Sequence, residues 1–305
     1  MKILTYRDLI SRDGLIPLLD HAFNWVFNQK QFDYFIKVDP RLKNGPICFC
    51  AVENGELIGH VGVMDLTTRT LNGEIEHTGG LYGVATLPGH TQKGVCTALM
   101  EKAHEYFKEK HYRFSFLSTS PALIAHSFYK NLGYLDIVEY PSAYKAFQKK
   151  RLKQSGEERS TGFDPQKMLR IYNQVTKEKT GFVIRDEAHL YMLRKIEGIK
   201  PKQCVIDEQG YIIFKEDRNG SWIRELVAAN QEQMHMLLAT VEQKARGPVY
   251  DRTVMDAELL DIYKSRGYMI LRRSYGVMML KPLVNGASFE QTYGDRFYFN
   301  RLDTF

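Results

Sequence analysis

The chain has 305 residues, which at roughly 150 residues per domain points to two domains. Its 44% hydrophobic and 26% charged content exclude a disordered, collagen-like or low-complexity protein. Forty-two Lys and Arg against 36 Asp and Glu leave +6, but Lys145, Lys149, Lys150, Arg151 and Lys153 gather five of the positive charges in one stretch without a nucleic-acid motif beside it, so it reads as a solvated linker and no nucleic-acid partner is expected.

At the N-terminus the apolar stretch is broken by Arg7, Asp8, Arg12 and Asp13, and no later run reaches the roughly 18 apolar residues of a membrane span. A cytoplasmic protein with no membrane partner is expected. Leu15, Leu18, Leu19, Ala22 and Val26 recur at helical spacing, predicting a helix from Leu15 to Phe27 that covers a sheet face. From Ile47 to Thr86 the sequence reads as three antiparallel strands, because Asn54-Gly55 and Asn72-Gly73 supply the left-handed residues of tight hairpins. Cys48 and Cys50 share one face of the first strand. No His or Cys pair accompanies them to complete a zinc site, so burial is expected and no metal. With Cys96 and Cys204 they are too few and scattered for a disulfide framework, which suits a reducing compartment.

Then comes the loop Pro88 to Gly94, followed by a helix from Val95 to near Lys110, a strand from Tyr112 to Ser118 and a helix from Pro121 to Asn131 stopped by Gly133. The segment Lys149 to Phe163, charged and nearly free of apolar residues, reads as an interdomain connection. Beyond it the order returns: strands Gln203–Ile206, Tyr211–Lys215 and Trp222–Ala228, then a helix Gln231–Lys244. Residues Phe128 to Tyr134 (FYKNLGY) match Ile262 to Tyr268 (IYKSRGY) at four of seven positions, which with the shared order implies a degenerate tandem repeat.

A glycine loop before a helix offers free N–H groups and a positive dipole end to a phosphate. On the loop alone an ordinary strand-to-helix turn is an equal reading. The GxxxxG spacing of Gly89 and Gly94 continues with Val95 and Cys96 where a nucleotide-binding P-loop has Lys and Ser or Thr, and a Rossmann GxGxxG is absent.

The segment Gly80 to Met100 (GLYGVATLPGHTQKGVCTALM) resembles motif A of the GCN5-related N-acetyltransferases (GNAT), and Ala125 to Tyr134 resembles their motif B. At the positions of the R/QxxGxG/A loop stand Thr91, Gln92, Lys93, Gly94, Val95 and Cys96; Gly94 matches, while Thr91 replaces Arg or Gln and Cys96 replaces the small residue. The resemblance implies acetyl-CoA as co-substrate, held by Val84, Ala85, Thr86, Gln92, Lys93, Gly94, Val95, Cys96, Thr97 and Ser120. It implies Tyr129 as the acid that protonates the leaving thiolate. His126, three residues before Tyr129, and His90 in the loop are other acid–base candidates by position, although exposed surface histidines are commoner than catalytic ones. Phe23 and Trp25 fall where this fold lines the acceptor cleft, although a helix buried against a sheet would carry the same residues.

The two-domain plan is similar to the enhanced intracellular survival family without its sterol-carrier-like domain. This implies an α/β fold of two tandem GNAT-like domains, each a mixed, largely antiparallel sheet flanked by helices. The catalytic domain would span 1–150, a degenerate domain without a glycine loop 151–283, and a docking tail 284–305. In that family the terminal carboxylate reaches the active site, so Phe305 becomes a candidate base. The function implied is acetyl transfer to a primary amine of a small molecule or a lysine side chain, in a monomer or a homo-oligomer. A non-catalytic acyl-CoA sensor and a transferase of bulkier acyl groups are the alternatives.

Overall fold

Two mixed sheets organise the chain, seen in a computed structural model that describes residues 1–24, 28–146, 162–272 and 276–303. Trp25, Phe305 and most of the expected Lys149–Phe163 connection lie outside the described residues. The first half comprises β1 (Lys2–Thr5), α1 (Leu15–Phe23), α2 (Gln29–Val38), β2 (Cys48–Glu53), β3 (Glu56–Arg69), β4 (Ile75–Thr86), α3 (Val95–Glu109), β5 (Phe114–Thr119), α4 (Ile124–Asn131), β6 (Leu135–Glu139) and β7 (Ser142–Lys145). The second half adds α5 (Pro165–Val175), β8 (Thr180–Gly181), α6 (Glu187–Glu197), β9 (Cys204–Ile206), β10 (Gly210–Asp217) and β11 (Gly220–Ala228). After these come α7 (Gln231–Lys244), β12 (Val249–Asp251), α8 (Ala257–Ser265), β13 (Met269–Leu271), β14 (Val277–Pro282), α9 (Phe289–Tyr293) and β15 (Phe297–Tyr298).

The expected meander is present, and its first hairpin turns through Asn54 and Gly55, both with left-handed φ (53° and 83°) as a two-residue loop requires. The first helix is shorter than its apolar spacing implied. Asn24 takes a φ of 54° and closes its N–H on the Asp20 carbonyl at 2.8 Å, ending α1 at Phe23. A separate helix, α2, then starts on an Asn28 cap whose side chain accepts from the Gln31 N–H.

The first sheet runs β1-β2-β3-β4-β5-β14-β6, with β8 touching β3 and β15 pairing with β8; the second runs β13-β7-β12-β11-β10-β9. The two orders correspond strand for strand from β6-β14-β5-β4-β3-β2 to β13-β7-β12-β11-β10-β9, which bears out the tandem repeat. They also correct its boundaries. Strand β14, from beyond residue 275, fills the place between β5 and β6, and β7, from before residue 150, fills the place between β12 and β13. Segments 1–150 and 151–283 therefore follow the chain and not the sheets, because each half completes the other.

Beneath α3 and α4 the first sheet buries Phe49, Val61, Leu81, Leu99, Phe107 and Leu117. Its other face, under α1, α2 and the tail, buries Cys48, Cys50, Met64, Phe116, Met278 and Phe297. The Cys48 and Cys50 sulfurs lie 3.5 Å apart in this core, and burial pushes the Cys48 thiol pKa up. In the tail, Tyr293, Phe297 and Phe299 are buried, so residues 284–303 dock.

Leu280 of β14 is 1% exposed in the core of the first sheet. We expect Leu280→Ala to cost about 2–5 kcal/mol. Because the exchanged strands couple the halves, urea unfolding followed by far-UV and aromatic signals should shift as one transition; two separating transitions would show that the halves unfold independently.

Candidate active site

Strands β4 and β5 run parallel but pair only at Gly79–Ser115 and Gly80–Phe116. Beyond these residues β4 continues to Thr86 and β5 to Thr119, so the two part and leave the β5-facing backbone edge of β4 without a strand partner. The local cause is a bulge. On the β3 side the register jumps from Gly62–Tyr82 to His60–Ala85, leaving an extra residue in β4, and Gly83 takes a φ of 57°. His60 Nδ1 lies 2.6 Å from the Gly83 carbonyl, and burial lowers the His60 pKa to about 4. The ring is therefore neutral near pH 7 and donates Nδ1–H to Gly83, which leaves Nε2 buried without a partner. This residue fixes the mouth of the cleft, and nothing in the local sequence pattern marks it.

The glycine loop sits at the end of β4. Gln92 (φ 60°) and Gly94 (φ 78°) are both left-handed, and the chain turns directly into α3. No side chain caps α3 and no acidic residue stands in its first turn. A Cβ at Gly94 would meet nothing within 4 Å, so open space lies beside the start of α3. An anion is the partner such a helix end lacks.

The proposed cofactor residues gather here in different ways. Gln92, Lys93 and Gly94 are exposed, Val84, Thr86, Cys96, Thr97 and Ser120 are half-buried, and Ala85 is buried. The Val95 side chain is buried in the core between α3 and β3, so its backbone alone could serve a ligand. Cys96 lies against Thr86, and burial pushes its thiol to about 11. Ser120 is turned to its own loop, accepting the Ala122 N–H at 3.2 Å.

Tyr129 on α4 is 7% exposed, and its pKa is raised by burial and then by nearby Cys96. The pairing brings the start of α3 and the motif on α4 together. The Tyr129 hydroxyl makes no hydrogen bond to the described residues, unlike its counterpart Tyr263, which donates to Asp251 at 3.0 Å. His126 is engaged with Asp136 at 2.8 Å and His90 faces Glu53 at 3.7 Å. Phe23 stands 38% exposed at the end of α1.

The second unit lacks these features. Strands β11 and β12 also pair only briefly, over three residues, and part after Ile223–Asp251, but only Ala229 and Asn230 separate β11 from α7. The Asn230 side chain accepts from the Gln233 N–H at 3.0 Å and fills the helix end that α3 leaves open. The corresponding cleft is narrowed by Met255, Tyr298 and Asn300 to a cavity of about 10 Å³.

Residues 11–135 match the sequence model of the family described as "Acetyltransferase (GNAT) domain". That span contains the bulged strand, the open cleft, the glycine loop and Tyr129. The first half of the chain therefore carries a GNAT acetyltransferase domain, and the second sheet forms another GNAT-like unit.

The tandem fold recurs in solved structures. Eis1 from Mycobacterium abscessus superimposes with a TM-score of 0.61 at 17% identity, covering 93% of this chain and 74% of that one. A GCN5-related N-acetyltransferase from Kribbella flavida gives 0.62 at 17% identity, with coverage of 88% and 67%. A conserved protein of Enterococcus faecalis V583 described as a probable N-acyltransferase gives 0.64 at 14% identity, with 92% and 72%. No curated protein matches the sequence. Among the described residues no helix is long and apolar enough to cross a membrane.

His60 and His104, whose pKa values burial lowers to about 4 and about 3, set a pH dependence. In the unfolded chain both titrate near ~6.5, so between these values the unfolded state binds more protons. Stability is full above pH 6.5 and falls as the pH drops toward 4, with His60 accounting for about 3 kcal/mol. Urea denaturation between pH 7 and pH 4 should show this loss, and His60→Gln, which keeps a donor for Gly83 without titrating, should remove about half of it and leave the His104 share.

Proposed function

We propose that the protein transfers the acetyl group of acetyl-CoA to a primary amine on a small molecule or a lysine side chain, and that it binds one acetyl-CoA per chain. The observation that carries this reading is the coincidence, among the described residues in the first unit alone, of an uncapped α3 with a Tyr129 hydroxyl beside it that makes no hydrogen bond to those residues. The pyrophosphate would lie against the amides of Gln92 to Thr97, with Lys93 and Gln92 adding exposed donors. Pantetheine would run along the free edge of β4. Acetyl-CoA, when bound, supplies an acyl group activated as a thioester.

The protein's part is positioning, charge stabilisation and proton supply. Backbone N–H groups near Val84 and Ala85, turned by the Gly83 bulge, would stabilise negative charge developing on the acetyl oxygen. Tyr129 would hand its proton to the departing sulfur. Its raised pKa keeps the phenol protonated throughout the neutral range, so the proton is present when the thiolate leaves. Phe305 would supply a carboxylate to the attacking amine; the docked tail and the burial of Asp303 bring the described chain to within two residues of that end. Phe23 and Trp25 would wall the acceptor side.

Tyr129→Phe should leave acetyl-CoA affinity unchanged and lower kcat by roughly 10² to 10⁴; a phenylalanine variant with full turnover would remove the acid role. Gly94→Asp places a carboxylate where the phosphates would sit, and calorimetry should show weakened CoA binding with an intact fold, against one site per wild-type chain. Affinity unaltered by Gly94→Asp would move the phosphates elsewhere. Appending one glycine after Phe305 keeps the ring and displaces the carboxylate. We expect that variant to keep its thermal stability and lose most of its kcat, and full activity would leave Phe305 a packing role.

A further inference from the structure

Helices α5 and α6 cover the second sheet over β9, β10 and part of β11, and leave the face formed by β11, β12 and β7 open. There Trp222 and Tyr250 stand opposite each other in the β11–β12 register, ring centroids 4.6 Å apart, and Tyr144 of β7 continues the row at 6.4 Å from Tyr250. Arg252 lays its guanidinium 3.8 Å above the Trp222 ring. Arg224, beside them on β11, pairs with Glu197 through one terminal nitrogen, while its Nε is buried without a partner. Arg301 reaches the same place from the tail. It stays exposed, yet crowding by protein atoms and the neighbouring Arg224 and Arg252 charges lower its pKa.

The surrounding carboxylates are occupied. Glu225 and Asp303 both hold Arg185, Asp256 holds Lys179, and Asp217 accepts the Asn219 and Gly220 amides of its own hairpin. Asp251 accepts from Tyr263 and from the Thr253 N–H, and burial raises its pKa to about 6. Glu197 is left as the described carboxylate paired within the cluster. The cluster also borders the catalytic cleft. Tyr140, within electrostatic reach of Arg301, packs its ring 5.3 Å from Phe299 and places its hydroxyl 2.6 Å from Ser118 at the splayed end of β5.

We propose that Arg224 and Arg252, over the Trp222–Tyr250 floor, bind the anionic group of the acceptor, so that the preferred substrate is an amine that also carries a carboxylate or a phosphate. The substrate class rests on the acetyltransferase reading above; the anion site does not. Guanidinium forks match both anions with paired charge-assisted hydrogen bonds. Arg252, already stacked on Trp222, gives up little freedom on binding. The second unit would thus select the acceptor by its charge while the first holds the acetyl donor.

The test uses matched amines, glucosamine 6-phosphate against glucosamine and 6-aminohexanoate against hexylamine, with two readouts on the full chain. Tryptophan fluorescence should respond to one or both charged members, the arm that responds distinguishing phosphate from carboxylate, and Trp222→Phe should abolish the response. Arg252→Ala should weaken that binding by roughly tenfold or more, and Arg252→Lys, which keeps the charge but not the fork, by less. In steady-state assays the charged member should show a higher kcat/KM through KM, a preference that Arg252→Ala removes. A fluorescence response without transfer to any amine would uphold the anion site and sink the acetyltransferase reading. Transfer without preference, with no fluorescence response or with binding indifferent to Arg252→Ala, would overturn the anion site and leave the acetyltransferase reading standing.

Discussion

The active cleft exists because β5 can leave β4 without losing its place in the sheet. It can do so because β14 pairs with β5 along its whole length, from Val277–Thr119 to Pro282–Phe114. A strand with a partner on one side and none on the other is an edge, and edges are ordinarily shielded. Here the exposed edge is short, faces a cleft and starts where the β4 bulge turns away. The partner that makes this affordable comes from the far end of the chain, after the second sheet has been laid down. The cleft of the first unit is therefore built on a contribution from the second, and β7 returns the same service to the sheet that carries the basic patch.

Once the halves are locked in this way, the repeat is free to diverge in function. The first unit kept an open helix end and an unbonded tyrosine. In the second the same two positions are satisfied internally, by Asn230 at the helix and Asp251 at the tyrosine, and the cleft between β11 and β12 is filled from the tail. That filling is anchored by charge. Arg185, fully buried, lies between Glu225 at 2.8 Å and Asp303 at 2.7 Å and stacks on Tyr172. Burial alone would raise the Asp303 pKa, but Arg185 overrides it and keeps the carboxylate ionised. A buried pair of this kind gives little net stability over a well-packed apolar core, while loss of one partner is costly, so its effect is to fix where the tail sits.

Much of this architecture was legible in the sequence because it is written in local rules. Asn-Gly pairs place hairpins, apolar spacing places α3 and α4, and a glycine before a helix places the loop. The positions of β7 and β14 were not legible, since VMMLKP states that it is a buried strand and not which sheet it enters. Helix α2 escaped because its apolar positions follow closely on those of α1, and the left-handed Asn24 and the Asn28 cap that bound the two helices leave no mark on that apolar pattern. The difference between Tyr129 and Tyr263 was equally hidden. Both sit in the same FYKNLGY-type context, and only the distant Asp251 separates an available phenol from a satisfied one. Trp25 and Phe305 lie outside the described residues, so for them the sequence reading stands alone.

Charge shows the same limit most clearly. Read along the chain, the excess of basic residues sits in the linker run, and Arg224, Arg252 and Arg301 are isolated residues in three different contexts. Folding sets Arg224 of β11 beside Arg252, the residue after β12, and the docked tail brings Arg301 alongside, so a basic patch appears that no window of the sequence contains. Its location follows from the exchange that opens the cleft. The tail that carries Arg301 runs directly on from β14, and fastening β14 into the first sheet fixes the path by which that arginine returns to the second. The constraint that opens the cleft between β4 and β5 therefore also assembles the basic patch on the second sheet.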